Sequence, residues 1–356
     1  MLLFVIMLLA PIAIQHIGTT EETYQKKNRQ AISVFFLILT FLIACRHDTI
    51  GKDTTNYIYF FENFAKVGWE KLPTIPVEIG FSTFNKIVAL FSTDPRFFLV
   101  VMAIFVSILL FPTYRRLCID PSLTIVLFCV MSTFVMMFSG IRQMMAVGIG
   151  FIAYHFTRKR NIVLFLLFAV LAMTVHASAF MLLLMYPLYH AKITRKWLLA
   201  IVPMLVILFV FNEQVFAILS LLVAQFTKYD GEISSTGAYT MLILLAIFAV
   251  FAFLIPDENR VDEETNGLRN FLLLAVVVQM FAPLHMLAMR MGYYYIIFIP
   301  LLLPKIIAVR SERWSEVAVA GRHIMLVFFL IYFVMGMYTG SALNVFPYHF
   351  FWENGV

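Results

Sequence analysis

The chain has 356 residues, of which 62% are hydrophobic and only 13% are charged, and its mean hydropathy is +0.91. These values exclude an ordinary soluble globular domain, in which about half of the residues are apolar. The net charge of +6 is spread over short loops, unlike the clustered basic surface of a nucleic-acid-binding protein.

Apolar runs long enough for membrane-spanning helices recur along almost the whole chain. Runs of about 14 to 20 residues predict an all-α polytopic membrane protein, because a helix needs about 20 residues to cross the hydrocarbon. The first run lacks a basic start and a small-residue cleavage site, so we predict a retained helix and not a signal peptide. We predict about twelve transmembrane helices, near residues 1–17, 31–45, 96–112, 122–138, 143–157, 162–175, 177–190, 197–211, 238–255, 270–288, 291–307 and 323–340.

Lys and Arg residues fall mainly in every second connection between these runs. That set of connections contains 17 of the 26 Lys and Arg residues, among them Lys26, Arg158 and Lys192. Cytoplasmic loops carry such an excess of basic residues, so we assign this set to the cytoplasm. Both termini are then extracytoplasmic, and residues 1–356 are predicted to form a single integral-membrane domain.

Two segments of mixed polarity are predicted to lie at the outer side. Residues 77–93 are half apolar and carry Glu78 and Lys86, which favours a re-entrant or interfacial helix. Residues 211–237 favour an outer loop with an amphipathic helix near 215–226. We therefore expect the outer segments 46–95 and 212–237 to contribute to an extracytoplasmic site.

The same topology places several polar residues at the outer face, and each of them lies within an apolar stretch of sequence. Arg142 and Arg290 each interrupt apolar sequence, and a guanidinium offers a planar fork of donors that suits phosphate oxygens. Both are therefore candidates for binding a phosphorylated substrate. The alternatives are a structural role for Arg142 and an interfacial aromatic belt around Arg290 that needs no ligand.

Candidates for proton transfer lie in two of the outer segments. His176 is surrounded by small residues and could act as a general base, donate to a bound anion, or serve in packing. Asp48 and Asp53 flank Gly51, and a carboxylate there could act on a sugar hydroxyl or form local ion pairs in a solvated loop. A catalytic metal could bind through Asp48 or Asp53, but the sequence does not call for one, and it predicts no cofactor and no structural disulfide.

The order of these residues resembles the EpsG family of Wzy-like polymerases of exopolysaccharide, capsule and O-antigen. The resemblance covers nearly the full chain, and the order and spacing of its short motifs carry it. These motifs are Arg46…Gly51-x-Asp53-Thr-x-x-Tyr57…Phe61, Glu78-x-Gly-Phe81, Gly140-x-Arg142-Gln143-x-x-Ala146, His176-x-Ser178-Ala, Arg290…Tyr294 and Pro347-Tyr348.

The resemblance implies a glycosyltransferase of the bacterial inner membrane with a GT-C-like architecture. Such proteins move a growing glycan from undecaprenyl diphosphate onto the non-reducing-end sugar of an incoming lipid-linked repeat unit, at the outer face. The implied partners are the lipid-linked donor and acceptor, the bilayer, and a chain-length regulator and flippase of the same pathway.

Applied to this sequence, the resemblance assigns a role to each candidate residue. The diphosphate is assigned to Arg142 and Arg290, with Arg46 as a third cation, and Arg142 is also placed in catalysis. Asp53 or His176 would be the base or the group that orients the acceptor, with Glu78 a weaker candidate. The residues expected to line the sugar site are Tyr57, Glu78, Gln143 and Tyr294.

Three other classes of protein compete with a polymerase. A lipid-dependent glycan ligase or related glycosyltransferase shares the chemistry but transfers a glycan once. A flippase-type transporter of lipid-linked oligosaccharides would show two related halves and polar residues at mid-membrane depth, and neither pattern is evident. A membrane acyltransferase would use His176 as its base, but its paired motifs are not found.

Overall fold

A computed structural model of the chain describes residues 2–16, 20, 22–222, 235–340 and 342–353. Within these residues the only pairings of extended backbone are two isolated bridges, Arg46 with Phe350 and Pro256 with Arg310. The described part of the chain is therefore all-α, as the sequence predicts. Its α-helices are α1 (Leu2–His16), α2 (Tyr24–Ala44), α3 (Thr54–Lys66), α4 (Ile79–Ala89), α5 (Pro95–Leu117), α6 (Pro121–Val130), α7 (Ser132–Ser139), α8 (Ile141–Arg158), α9 (Ile162–Val175), α10 (Met185–His190), α11 (Leu198–Val210), α12 (Asn212–Leu222), α13 (Ser235–Leu254), α14 (Glu263–Gln279), α15 (Met286–Ile296), α16 (Ile299–Ala308) and α17 (Ser315–Thr339).

Capping residues fix the start of several helices. The Asp94 side chain accepts a hydrogen bond in the first turn of α5, and Pro95 occupies the first helical position. An Asp or Asn oxygen satisfies one of the free N–H groups of a helix start, and proline has no N–H to satisfy. The same kind of side-chain cap begins α6, α9 and α14, through Asp120, Asn161 and Asp262.

Most of the predicted apolar runs coincide with one helix or with two successive helices, but the run 270–288 extends past the end of α14 at Gln279 to the start of α15 at Met286. By length and composition, the described residues contain three helices that can cross a membrane: Tyr24–Ala44, Pro95–Leu117 and Glu312–Thr339. The number rises to six if each of three bent pairs is one span. The predicted run 122–138 is such a pair, since α6 and α7 meet at an angle of 62°. The polytopic helical fold class is therefore supported.

Two helices in the outer segment 46–95 are not among these candidate spans. They are α3, with 13 residues, and α4, with 11 residues. At 1.5 Å per residue, α4 is about 16 Å long, roughly half of the hydrocarbon thickness. This length suits the interfacial or re-entrant helix predicted for residues 77–93. In the second mixed segment, α12 covers the start of the predicted helix near 215–226, and residues 223–234 lie outside the described part.

The chain divides into two compact units. The first consists of Met1–Phe180 and His323–Val356, and the second of Met181–Arg322. In the first unit, α2 packs against α1 and α5, while α8 packs against α5 and α9. Thr40 Oγ1 donates to Ser107 Oγ across the α2–α5 contact at 2.7 Å, which satisfies two hydroxyls within apolar helices.

Polar contacts in the first unit gather at two sets of helix ends. In one set, Ser122 Oγ donates to Gln15 Oε1 at 2.6 Å, and Asn28 Nδ2 donates to the Ile119 carbonyl at 3.0 Å. These contacts join the end of α1, the start of α2 and the α5–α6 connection. The other set joins the end of α2, the starts of α4, α5 and α8, and the end of α9. We call this second set of helix ends the site end.

The second unit is built around α14, which packs against α10, α13, α15 and α16. At one end of α14, the buried Arg269 donates to Glu258 Oε1 at 2.8 Å, and Lys305 Nζ pairs with Glu264 at 3.3 Å. At its other end, Gln279 Nε2 donates to the Ala238 carbonyl at 3.0 Å. The acidic loop 257–264 thus joins basic residues from connections that the charge pattern assigns to the cytoplasm.

Candidate active site

Glu78 lies at the centre of the polar contacts of the site end. It is the residue just before the first turn of α4, and α4 approaches the end of α9 closely at Gly80. A Cβ atom on Gly80 would lie 2.7 Å from the carbonyl oxygen of Thr174. A side chain at position 80 would therefore push α4 away from α9, and its absence lets the Glu78 carboxylate reach His176.

The two carboxylate oxygens of Glu78 have different neighbours. Oε2 accepts from Arg142 Nη1 at 2.8 Å, and Oε1 lies 3.3 Å from His176 Nδ1. Oε1 also accepts from the backbone N–H of Ala177 at 3.0 Å. Arg142 comes from the first turn of α8 and His176 follows α9, so one carboxylate joins three chain segments. We call Glu78, Arg142 and His176 the carboxylate cluster.

These neighbours keep Glu78 ionised. Burial alone would raise the pKa of Glu78, but the hydrogen bond with His176, the Arg142 charge and the Ala177 N–H together lower it to about 2. An ionised carboxylate can only accept hydrogen bonds, so His176 Nδ1 must carry a proton. When the imidazole is neutral, its basic lone pair is then on Nε2. Glu78 thus selects the tautomer in which Nε2 can receive a proton.

Aromatic residues lie beside the carboxylate cluster. The Arg142 guanidinium carbon lies 5.8 Å from the centroid of the Phe81 ring. Tyr57 packs against the same ring in an edge-to-face arrangement, with centroids 5.8 Å apart. Phe81 therefore links the predicted sugar-site residue Tyr57 to Arg142. Gln143, another predicted sugar-site residue, is buried next to Arg142 in α8.

Asp53 belongs to a neighbouring contact of the site end. Its backbone N–H donates to Ser139 Oγ at 3.3 Å, and that hydroxyl lies 3.4 Å from Asp53 Oδ2. Gly51 lies against Phe138 with φ of +85°, and an added Cβ would overlap the Phe138 carbonyl. Gly51 therefore lets the segment 46–57 close onto the turn that precedes Arg142. No direct contact between Asp53 and the carboxylate cluster is observed in the described residues.

Arg46 is completely buried, with 0% of its surface exposed. Its Nη1 donates to the Ile43 carbonyl, while Nε and Nη2 have no acceptor among the described residues. Burial lowers the pKa of Arg46 to about 10, so the guanidinium stays charged at neutral pH. The predicted third cation thus lies beneath the surface and not on it.

Backbone hydrogen bonds tie the segment around Arg46 to the C-terminal residues of the chain. His47 N donates to the His349 carbonyl at 2.9 Å, and Gly51 N donates to the Asn344 carbonyl at 3.0 Å. Tyr348, one of the residues that carry the family resemblance, donates from its hydroxyl to the Leu42 carbonyl at 2.6 Å. The C-terminal segment therefore holds residues 46–52 in place.

Arg96 was not identified from the sequence, although it contacts this segment twice. It pairs with Asp48, donates to the Arg46 carbonyl at 2.6 Å and lies 5.0 Å from the Phe351 ring centroid. Its position beside the helix cap Asp94, at the predicted outer end of α5, was the available signal. Asp48 is thus held in an ion pair.

The two remaining predicted site residues belong to the second unit. Arg290 and Tyr294 both lie on α15. His285 caps this helix by accepting from the Leu287 N–H at 3.0 Å. Tyr294 is buried, and Arg290 is partly exposed.

No group of three or more His, Cys, Asp and Glu side chains suited to a metal ion occurs in the described residues. The fold and the cluster define a class: a helical membrane protein with an arginine, a carboxylate and an oriented histidine at the ends of its helices. The model of the EpsG family matches residues 31–350. The chain therefore belongs to the EpsG family, a Wzy-like polymerase family.

Membership in this family indicates a polysaccharide-polymerase type of function in a membrane, with glycosyl transfer as its chemistry. A search of curated proteins and a search of solved structures each gave no significant match.

Proposed function

We propose that this protein polymerises oligosaccharide repeat units carried on undecaprenyl diphosphate, at the extracytoplasmic face of a bacterial inner membrane. The observation that carries the proposal is the Glu78 carboxylate, which contacts Arg142 on one oxygen and His176 on the other. Glycosyl transfer from a lipid diphosphate needs a cation for the leaving group and a base for the attacking hydroxyl. The carboxylate cluster offers both within one contact network.

The proposed reaction transfers the growing chain to the incoming unit. A hydroxyl of the non-reducing-end sugar of the incoming unit attacks the anomeric carbon that is bonded to the donor diphosphate. A glycosidic C–O bond forms, the bond to the diphosphate oxygen breaks, and its electron pair leaves with undecaprenyl diphosphate. His176 Nε2 takes the hydroxyl proton, and Glu78 stabilises the imidazolium that results.

Arg142 is suited to the leaving diphosphate because most of its donors remain available. A guanidinium has five N–H groups, and among the described residues Glu78 is the acceptor that Arg142 contacts. Nε in particular is buried and has no acceptor there. A diphosphate bound to Arg142 would share the guanidinium with Glu78, and its negative charge would grow as the bond to carbon breaks.

The other candidate residues are given supporting roles. We assign Arg290 as a second diphosphate cation, and Arg46 as a buried charge that contributes potential without a direct contact. Asp53 would orient the acceptor sugar. The side chains proposed to line the sugar site are Tyr57, Gln143 and Tyr294. A flippase would deliver the lipid-linked units, and a chain-length regulator would limit polymer length.

The same proposal includes a topology of twelve spans in a GT-C-like arrangement with both termini outside. Its support is the distribution of contacts within each unit. In the first unit, residues from alternate connections contact one another, and the carboxylate cluster lies at the ends opposite the Asn28 contact. In the second unit, Glu258 and Glu264 pair with Arg269 and Lys305, all from connections assigned to the cytoplasm.

The direct test is polymer formation by the purified protein in lipid nanodiscs supplied with undecaprenyl-diphosphate-linked repeat units. The wild type should give a ladder of regularly spaced products on a gel. Arg142→Ala should abolish the ladder, and Arg142→Lys should restore only part of it, because an ammonium lacks the planar fork. Lys66→Ala, an exposed cation at the end of α3, is the matched control and should leave the ladder unchanged.

Other outcomes point to different functions. A single transfer without a ladder would identify a ligase. Movement of lipid-linked units between vesicle leaflets without any new glycosidic bond would identify a transporter and overturn the enzyme proposal. A normal ladder from Arg142→Ala would remove Arg142 from the diphosphate site.

A further inference from the structure

A cavity of about 310 Å³ lies in the first unit, among helices whose ends carry the carboxylate cluster. Four helices form its walls: α4, α5, α8 and α9. The lining is almost entirely apolar, and its volume is at the lower end of the range for small-molecule sites, about 300–1,000 Å³. Its principal side chains are Ile79, Phe84, Phe105, Ile149, Leu171 and Val175.

The cavity and the carboxylate cluster share the same helix ends. Ile79 directly follows Glu78, and Val175 directly precedes His176. Met145, which also lines the cavity, lies three residues after Arg142 and therefore on the same face of α8. A ligand that fills the cavity would thus have one end beside Arg142 and His176.

The mouth of the cavity opens on an apolar surface. Ile87 and Leu171 line the cavity, yet each is 45% exposed. The exposed face of α9 continues with Val163, Leu167 and Val170. An apolar helix face of this kind suits contact with lipid hydrocarbon. A chain could therefore enter the cavity sideways from the bilayer without passing through water.

We infer that this cavity binds the isoprenoid chain of the lipid-linked substrate at the segment nearest the diphosphate, and that the substrate enters between α4 and α9. The inference rests on the proposed function, since it assigns the diphosphate to Arg142. An apolar cavity beside a guanidinium selects an amphipathic ligand with an anionic head. Isoprenoid carbons buried there would anchor the diphosphate and position the anomeric carbon near His176.

The first experiment detects occupancy without requiring a sugar. The protein in phosphatidylglycerol and phosphatidylethanolamine nanodiscs is irradiated with farnesyl diphosphate that carries a diazirine in its second isoprene unit. Label should appear on peptides of α4 and α8 that contain Thr83 and Met145. Undecaprenyl diphosphate should compete for this label, whereas excess phosphatidylglycerol should not. Competition by phosphatidylglycerol would make the cavity an ordinary lipid site and overturn the inference.

Matched variants test whether the cavity contributes to turnover. Leu171→Trp places a larger side chain at the mouth of the cavity, and Thr83→Phe places one in its interior. Each should reduce labelling and raise the KM for lipid-linked units about tenfold, equivalent to roughly 1.4 kcal/mol. Leu167 lies one helical turn from Leu171 on the exposed face of α9, outside the cavity lining. Leu167→Trp should therefore change neither the labelling nor the KM.

The outcomes separate this inference from the proposed function. A ladder from the wild type with no cavity label, or an unchanged KM in both filled variants, would overturn the inference and leave the polymerase intact. Specific, competed label without a ladder from any supplied repeat unit would support isoprenoid binding and count against polymerisation. Retention of the ladder at high substrate concentration by Leu171→Trp would show that this variant is folded.

Discussion

Glu78 has two functions that compete for the same carboxylate. It neutralises Arg142, which lies in the first turn of α8, where the helix dipole disfavours a positive charge. It also holds the proton of His176 on Nδ1. In the proposed reaction, a diphosphate bound to Arg142 would take over the first function and leave Glu78 to stabilise the imidazolium. The proposed function therefore predicts that substrate binding and base activation are coupled through this side chain.

Replacement of Glu78 by Gln tests this coupling. Arg142 and His176 contact different oxygens of Glu78, and glutamine keeps only one of these two oxygens, so its NH₂ group would face one of the two donors. Polymer formation should fall by about 10²- to 10⁴-fold, the usual contribution of a positioned base. The measurement is the initial rate of ladder formation at pH 7. Glu62→Gln, an exposed carboxylate on α3, should retain the wild-type rate.

The same variant should also change how the stability of the fold depends on pH. The folded pKa of Glu78, about 2, is below its ordinary value of 4.5, so the ionised carboxylate stabilises the fold above pH 4.5. This contribution is lost between pH 4.5 and 2, and its upper bound is about 3 kcal/mol before solvent screening. Thermal unfolding should show a lower Tm for Glu78→Gln at pH 7 and a smaller acid-dependent decrease. If the Tm of the wild type and that of Glu78→Gln depended on pH in the same way, this role of Glu78 would be contradicted.

The sequence allowed some of these side chains to be ranked, but not their pairing. Arg142 and His176 stood out because each interrupts apolar sequence, where a polar group needs a structural or chemical reason. Glu78 is a weaker candidate than Asp53 from the sequence, and it lies in a segment of mixed polarity. Its contact with His176 depends on the approach of α4 to α9 across 98 residues of sequence, which local patterns do not encode. Arg96 was missed for the same reason.

The contact between α4 and α9 determines the geometry of the carboxylate cluster. Because a Cβ on Gly80 would lie 2.7 Å from the Thr174 carbonyl oxygen, Gly80→Ala should separate the two helices. Moving Glu78 by a few tenths of an ångström would lengthen a hydrogen bond to His176 that is already 3.3 Å. We expect ladder formation to decrease at least tenfold and unfolding stability to fall by about 1–3 kcal/mol.

Gly336→Ala is the matched control for this prediction. Gly336 lies in α17, and a Cβ there would meet no atom within 4 Å. Alanine in a helix interior is favoured over glycine by about 0.5–1 kcal/mol, so this variant should keep activity and at least wild-type Tm. Both quantities are measured by the ladder assay and by thermal unfolding in detergent. Full activity in Gly80→Ala would show that the cluster tolerates a wider α4–α9 separation.

At the scale of helices, hydrophobic runs predicted where the elements lie but not how they bend. The run 122–138 was expected as one helix, and it is two helices joined near Met131 at an angle of 62°. Apolar composition is the same on both sides of this break, so periodicity gives no sign of it. Similarly, the polar segment 46–57 was not predicted to begin a helix, although α3 starts at Thr54.

At the scale of the whole molecule, the predicted topology rests on the charge pattern, and contacts can be compared with it only within each unit. The excess of basic residues assigns one set of connections to the cytoplasm. Within each unit, some contacts join two connections of that set. In the second unit, for example, Arg195 donates to the carbonyls of Phe253, Leu254 and Pro256. These bonds join two basic connections across 58 or more residues. In this unit, these bonds therefore join connections that the charge pattern places in the same set.

The orientation can be tested with two lysines of the first unit. Lys71 lies in the outer segment 46–95, Lys159 follows α8, and both are exposed. Each is replaced by Cys in a variant whose native Cys45, Cys118 and Cys129 are changed to Ala, after a ladder assay has shown that this background is active. In spheroplasts, a membrane-impermeant maleimide should label Lys71→Cys at once and Lys159→Cys only after permeabilisation, because basic loops stay in the cytoplasm. The reverse pattern would put the carboxylate cluster on the cytoplasmic side and overturn polymerisation at the outer face. Equal labelling of both positions in intact spheroplasts would contradict the alternation of sides itself, since α8 would then not separate the cluster from Lys159.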